Sequence, residues 1–170
     1  AGAAIGRAIA VDEGRVMVNG NRKGKAFERK ICLEFEMMFG MSMSFKRDIE
    51  QFRQADLGDI LCSDPDFPFI IECKRYAQGN GVQPAWLRQA QKAAETAKKH
   101  WAVVYQYDRK PVRVAVSLAA IADAMGNKDF HKDTVWESDL EGFAEIAREI
   151  MARVEEKKNL ERVYERINTV

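Results

Sequence analysis

The stretch LGDILCSDPDFPFIIECKR, residues 57–75, decides how the rest of the chain is read. Residues 57–62 and 68–75 read as two strands, dense in Leu, Ile and Phe. Between them, Ser63-Asp-Pro-Asp66 is a turn cluster. A turn centred between Pro65 and Asp66 gives antiparallel partners whose numbers sum to 131, which sets Asp59 opposite Glu72. Directly opposed residues hold their Cβ atoms about 4.5–5.5 Å apart. Lys74 lies two residues beyond Glu72 and projects from the same face. Two carboxylates and one ammonium therefore converge on one patch of sheet.

Leu57, Ile60, Leu61, Phe69, Ile70 and Ile71 make these strands largely buried, and charges inside such strands are costly without partners. Facing carboxylates repel unless a cation sits between them. A hard divalent ion with oxygen ligands resolves the conflict, and Mg²⁺ is the usual choice beside phosphate, with Mn²⁺ as its substitute. The alternative is an internal salt bridge from Lys74 to Glu72 or Asp59, which leaves one carboxylate uncompensated. Pro65-Asp66 is a decoy. At ~3.3 Å per residue Asp66 sits about 20 Å along the strand from Glu72, too far to share an ion.

Outward from this hairpin the order is mixed. Residues 22–39 read as a helix, with Phe27, Ile31, Phe35 and Met38 on one stripe and Gly40 as its stop. Residues 43–49 look extended. Residues 76–82 form a Gly/Asn-rich loop, after which Pro84 opens a helix to about Lys99. Residues 101–107 and 111–117 read as a second hairpin around Asp108-Arg-Lys110. A short helix over 118–125, an irregular segment over 126–137 and a long amphipathic helix over roughly 138–168 follow. Residues 1–21 read as a short hairpin or an N-terminal arm. This alternation indicates a mixed α/β domain.

The composition fits one soluble domain of 170 residues, 46% hydrophobic and 31% charged. No apolar run approaches the ~20 residues of a membrane helix, and Arg7, Asp12, Glu13 and Arg15 interrupt any signal-like region. A cytoplasmic protein is expected. Cys32, Cys62 and Cys73 lack CxxC spacing and read as buried thiols; His100 and His131 have no second ligand at metal spacing. The net charge of +1 hides a split: residues 21–118 carry 17 Lys+Arg against 12 Asp+Glu, and residues 119–170 carry 8 against 12. A basic middle suits a polyanion.

Asp59 followed by Glu72-Cys-Lys74 resembles the PD-(D/E)XK nuclease pattern, with Gly58 where the family usually has Pro. Arg22-Lys-Gly-Lys-Ala-Phe-Glu28-Arg29 resembles the start of the first helix in archaeal-type Holliday junction resolvases. Trp86-Leu-Arg-Gln89-Ala90 resembles the glutamine-bearing helix after the core. More narrowly, residues 45–107 resemble resolvases encoded by phages and prophages. The motifs cover residues 22–117.

The resemblance implies a restriction-endonuclease-like core, a mixed central sheet flanked by helices, over 22–118. A C-terminal helical extension fills 119–170. It implies a Mg²⁺-dependent endodeoxyribonuclease whose metal is held by Asp59 and Glu72, with Glu28 completing the shell directly or through water. Lys74 then orients or deprotonates a water or stabilises the transition state, and Gln89 positions the water or the phosphate. The residues themselves leave plainer readings open: Glu28 as a surface glutamate beside Arg29 and Lys30, and Gln89 as a helix-flank glutamine. Branched double-stranded DNA is the implied substrate and a homodimer the implied assembly, with no small-molecule cofactor and no membrane. Other nucleases of the superfamily, and a non-catalytic DNA-binding module on the same fold, remain alternatives.

Arg22, Lys23, Lys25, Arg29, Arg75 and Arg88 are the basic residues best placed to reach phosphates. Trp86 reads as helix core in preference to a base-stacking platform. Phe143, Ile146, Ile150, Leu160, Tyr164 and Ile167 form a stripe on the last helix, which either packs on its own core or makes a dimer contact.

Overall fold

The computed structural model describes residues 13–40, 42–49, 58–126 and 134–168. The chain runs α1 (Glu13–Phe39), β1 (Phe45–Arg47), β2 (Ile60–Cys62), β3 (Phe69–Tyr76), α2 (Pro84–Ala97), β4 (His100–Tyr107), β5 (Arg113–Ser117), α3 (Leu118–Ala124), β6 (Val135–Ser138) and α4 (Leu140–Asn168). The six strands lie in chain order in one sheet. Only the β3–β4 pair is parallel, and α2 makes the crossover between them. Every other neighbouring pair is antiparallel.

Helices cover both faces, which is why β3 and β4 are apolar on both sides. On one face, Phe27, Ile31, Phe35 and Phe39 of α1 and Phe143, Ala144, Ala147 and Ile150 of α4 pack on Phe69, Ile71, Ala102 and Val104. The aromatic rings interlock: Phe35 meets Phe45 at 5.3 Å and Phe143 at 5.5 Å, and Phe69 meets Phe143 edge-on at 4.9 Å. On the other face, α2 lays Ala90, Ala93 and Ala94 against Val103, Tyr105 and Ala115, the small side chains letting the helix approach the sheet closely. Proline opens α2, and Lys98 in the left-handed conformation closes it, with Lys99 N–H donating to Ala94 O at 3.0 Å.

Two expectations are corrected. The first helix begins at Glu13, not at residue 22, so residues 13–21 are its opening turns and not part of a hairpin. The alternation in Arg15-Val-Met-Val18 suggested a strand, but propensity over four residues is a weak force beside continuation of a helix. Residues 1–12 lie outside the described part. The irregular segment expected over 126–137 contains β6, whose four residues pair with β5 from Val114↔Ser138 to Ser117↔Val135. So short a strand has no pattern of its own and is created by its partner. The long final helix is present, but its stripe divides. Phe143 and Ile150 are buried, whereas Leu160, Tyr164 and Ile167 stand in solvent.

Among the described residues no helix is long and apolar enough to cross a membrane. The three cysteines are free thiols; Cys32 is buried as expected, Cys62 and Cys73 are half-buried, and burial pushes Cys32 up to about 11 and Cys73 well above its ordinary value.

Candidate active site

The site grows from the β2–β3 pairing. Ile60 stands opposite Ile71, so the register sums to 131 as the turn cluster predicted, and Asp59 falls level with Glu72. Asp59 N–H donates to Ile71 O at 2.7 Å, and Asp59 Oδ2 accepts from Cys73 N–H at 2.6 Å. The aspartate is thus clamped to β3 by its own backbone and by its side chain.

Gly58 makes that clamp possible. Its φ is +80°, and a Cβ there would lie 2.6 Å from Ile71 O and 2.9 Å from Ile70 Cγ2. A proline, locked near φ −65°, cannot adopt this conformation. Gly58, where the resemblance expects proline, thus holds a backbone conformation that proline cannot take.

Glu72 is 3% exposed, and Lys74 Nζ donates to its Oε2 at 3.2 Å. Gln89, reaching down from α2, donates from Nε2 to the same Oε2 at 2.8 Å and accepts from Lys74 Nζ on its Oε1 at 2.9 Å. The three side chains form a closed triangle. Burial pushes the Glu72 carboxyl up to about 7; the Asp59 carboxylate pushes the same way, and Lys74 pulls against both. One ammonium thus faces two carboxylates, and the site is short of positive charge.

Glu28 stands apart from this pair. Its Oε2 accepts from Arg47 Nε of β1 in an ion pair that is about four-fifths buried on both sides. Among the described residues no three acidic, Cys or His side chains stand together as a group able to hold an ion. Asp59 and Glu72 converge; the Glu28 carboxylate is held by Arg47 and forms no set of three with them. Two carboxylates suffice as protein ligands for Mg²⁺, which dehydrates reluctantly and takes its remaining ligands from water and phosphate. The all-oxygen donors and the charge deficit fit such an ion.

Arg47 is the residue whose role was not read from the sequence. Nothing in the spacing tells which helix residue an edge strand will meet. Gln89, expected to position a water or a phosphate, bonds here to Lys74 and Glu72.

The six basic residues expected at DNA divide into two groups. Arg22, Lys25 and Arg29 are exposed along α1 and Arg88 is exposed on α2. Lys23 and Arg75 both bind Asp108, at 3.2 and 2.5 Å, and Arg75 also donates to Tyr76 O and Gln106 O. Arg75 ties the ends of β3 and β4 together, with its charge offset by the aspartate.

A mixed sheet with one parallel crossover, carrying an aspartate opposite a Glu-x-Lys strand, is the arrangement of the PD-(D/E)XK class. Residues 19–163 match the family described as "Phage putative PDDEXK endonuclease". The chain belongs to this family of phage PD-(D/E)XK endonucleases. The match runs through β6 and most of α4, beyond the residues that carry the sequence motifs. A comparison with curated proteins finds no match. Among solved structures the chain is similar to Hjc, a Holliday junction resolvase from the archaeal hyperthermophile Archaeoglobus fulgidus. That similarity has a TM-score of 0.45 and 15% identity, over 74% of this chain and 98% of that one.

Proposed function

We propose that this protein is a Mg²⁺-dependent endodeoxyribonuclease that nicks branched DNA, four-way junctions foremost, as a homodimer. The observation that carries the reading is the half-buried Asp59 set level with the buried Glu72, to which Lys74 is bonded, an acidic pair that a divalent cation would neutralise. Asp59 and Glu72 would hold the ion. When bound, the ion supplies a water of lowered pKa and shields the phosphate charge.

The chain's own groups do the rest. Lys74 presents Nζ at the carboxylate pair, where it can steady an attacking water or the charge that builds on the phosphorus oxygens. Gln89 acts through its neighbours: it holds Lys74 by Oε1 and Glu72 by Nε2, fixing their separation. Glu28, paired with Arg47, lies outside the ion's immediate ligands and serves the site from the flank. Arg22, Lys25, Arg29 and Arg88 supply phosphate contacts that position DNA without reading its sequence.

A stacked four-way junction has two-fold symmetry, and its resolution needs two opposed cuts. Two copies of Asp59, Glu72 and Lys74 related by a C₂ axis meet that need. Gel assays in Mg²⁺ on a four-way junction and on linear duplex of the same sequence test the reading. Paired, symmetric nicks in the junction, with far slower cutting of the duplex, are expected, and Asp59→Asn or Glu72→Gln should abolish both. Equal rates on the two substrates would refute junction selectivity and leave a general nuclease. Full activity in either variant would refute the site.

A further inference from the structure

We propose that Tyr76 is a stacking platform for an unpaired DNA base beside the cleavage centre. The inference rests on the nuclease reading above and concerns how that site tells branched from continuous DNA.

Residues Glu72, Lys74 and Tyr76 alternate along β3, so all three project from the face that α2 covers. Glu72 is buried and Lys74 nearly so; Tyr76 is 49% exposed. Its ring lies almost parallel to the indole of Trp86, at 17° and 5.2 Å between centroids. Trp86 is itself core, packed between Tyr76 and the rings of Tyr105 and Tyr107. The aromatic pair therefore has an inner member fixed in the core and an outer member with one ring face against the indole and the other toward solvent.

The backbone that carries the outer ring is anchored. Tyr76 O accepts from Asp108 N–H at 3.0 Å and from Arg75 Nη1 at 3.0 Å, which anchors the end of the strand. Residues 77–80 beside it are exposed, and Gly79 keeps its loop flat against the Tyr107 ring, where a Cβ would lie 2.2 Å away.

A half-exposed tyrosine at a strand end is common. One that extends an aromatic stack out of the core, on the face of a nuclease site, has a specific use. Its Cα lies about 6–7 Å from that of Lys74 and about 13 Å from that of Glu72, at ~3.3 Å per residue. With ~3.4 Å of rise per nucleotide in a strand, a base two to four nucleotides from the phosphate at the carboxylates would reach it. Bases in continuous duplex have both faces covered by their neighbours. At a flap or gap, or at a four-way junction whose arms are unstacked, a face is free, and stacking on an aromatic side chain tolerates any base identity. The ring would thus favour branched DNA without any hydrogen-bond readout of sequence.

The test places 2-aminopurine either at the branch point or mid-arm of a four-way junction and a flapped duplex, and measures binding in EDTA, where no cleavage intervenes. Wild-type protein should change the emission of the branch-point probe and leave the mid-arm probe alone. Tyr76→Phe should keep that change; Tyr76→Leu should lose it, raise KM for branched DNA about fivefold or more, and move kcat less. Circular dichroism and the thermal unfolding temperature report that the Leu variant is folded. Protein that nicks DNA but leaves the branch-point probe unaffected overturns the platform and keeps the nuclease. A Phe variant that behaves like the Leu variant also overturns it, by assigning the effect to the hydroxyl. Wild-type protein that neither binds nor nicks any of these DNAs overturns both readings.

Discussion

Glu72 has its carboxyl raised to about 7 by burial and by Asp59, against 4.5 for the free group, so its proton is coupled to folding. Between those two values the folded chain holds a proton that the unfolded chain has lost, so stability falls as pH rises through the window. In EDTA, thermal unfolding should occur at lower temperature at pH 8 than at pH 5.5. The lost stability is on the order of a few kcal/mol, because each pH step of one across that window costs about 1.4 kcal/mol. Glu72→Gln should flatten this part of the profile, and melting curves of the two proteins at both pH values check it. Gly58 gives a second expectation at this scale. Gly58→Ala adds a Cβ 2.6 Å from a backbone oxygen at φ +80°. Urea unfolding should show a loss of about 2 kcal/mol or more, the range of strained backbone sites.

Among the elements, α1 and β1 meet across the Glu28–Arg47 ion pair, which sets the edge of the sheet against the first helix. Arg47→Ala removes one partner and leaves a largely buried carboxylate behind. Chemical denaturation should report a loss of about 1–3 kcal/mol, the cost of an uncompensated polar group. Replacing both partners with apolar residues, Glu28→Leu with Arg47→Met, should restore most of it, since a buried pair contributes little net stability over a hydrophobic pair. If the double variant is as unstable as the single one, the pair does more than satisfy itself. At the far end, α2 contributes Gln89 and Trp86 from one surface, so its seating on Ala90, Ala93 and Ala94 fixes the Lys74 triangle and the aromatic stack together.

Over the whole molecule, α4 is used in two halves. Phe143, Ala144, Ala147 and Ile150 complete the core, while Leu160, Val163, Tyr164 and Ile167 are 52–67% exposed at 3–4-residue spacing. Such a stripe on a helix that has left its own core suits a second copy of itself, while the flanking charges Glu155 with Arg162 and Lys157 with Glu161 pair within the helix. Light scattering should give about twice the 19.3 kDa chain mass. Leu160→Glu with Tyr164→Glu should halve that value and leave thermal unfolding of the core largely unmoved. A monomer at every concentration, with DNA bound, would remove the dimer and with it the account of symmetric cutting.

Local physics carried much of this structure. The turn cluster at 63–66 and the apolar strands beside it determined the hairpin register, and the register alone set Asp59 against Glu72, because facing positions follow from counting once the turn is placed. Proline at 84 and the Ala-rich spacing of α2 were equally local, and so was the buried half of α4. What tertiary structure decided are the meetings between distant segments. Glu28 joins Arg47 instead of the carboxylate pair, Gln89 closes on Lys74, and Arg75 is drawn to Asp108. Tyr76 comes to rest on Trp86, and β6 exists because β5 offers it an edge. Spacing along one strand or helix fixes which side chains share a face. Which face meets which is settled only when the core closes, since burial of Phe27, Phe35, Phe69 and Phe143 in one cluster chooses the relative positions of helices and sheet.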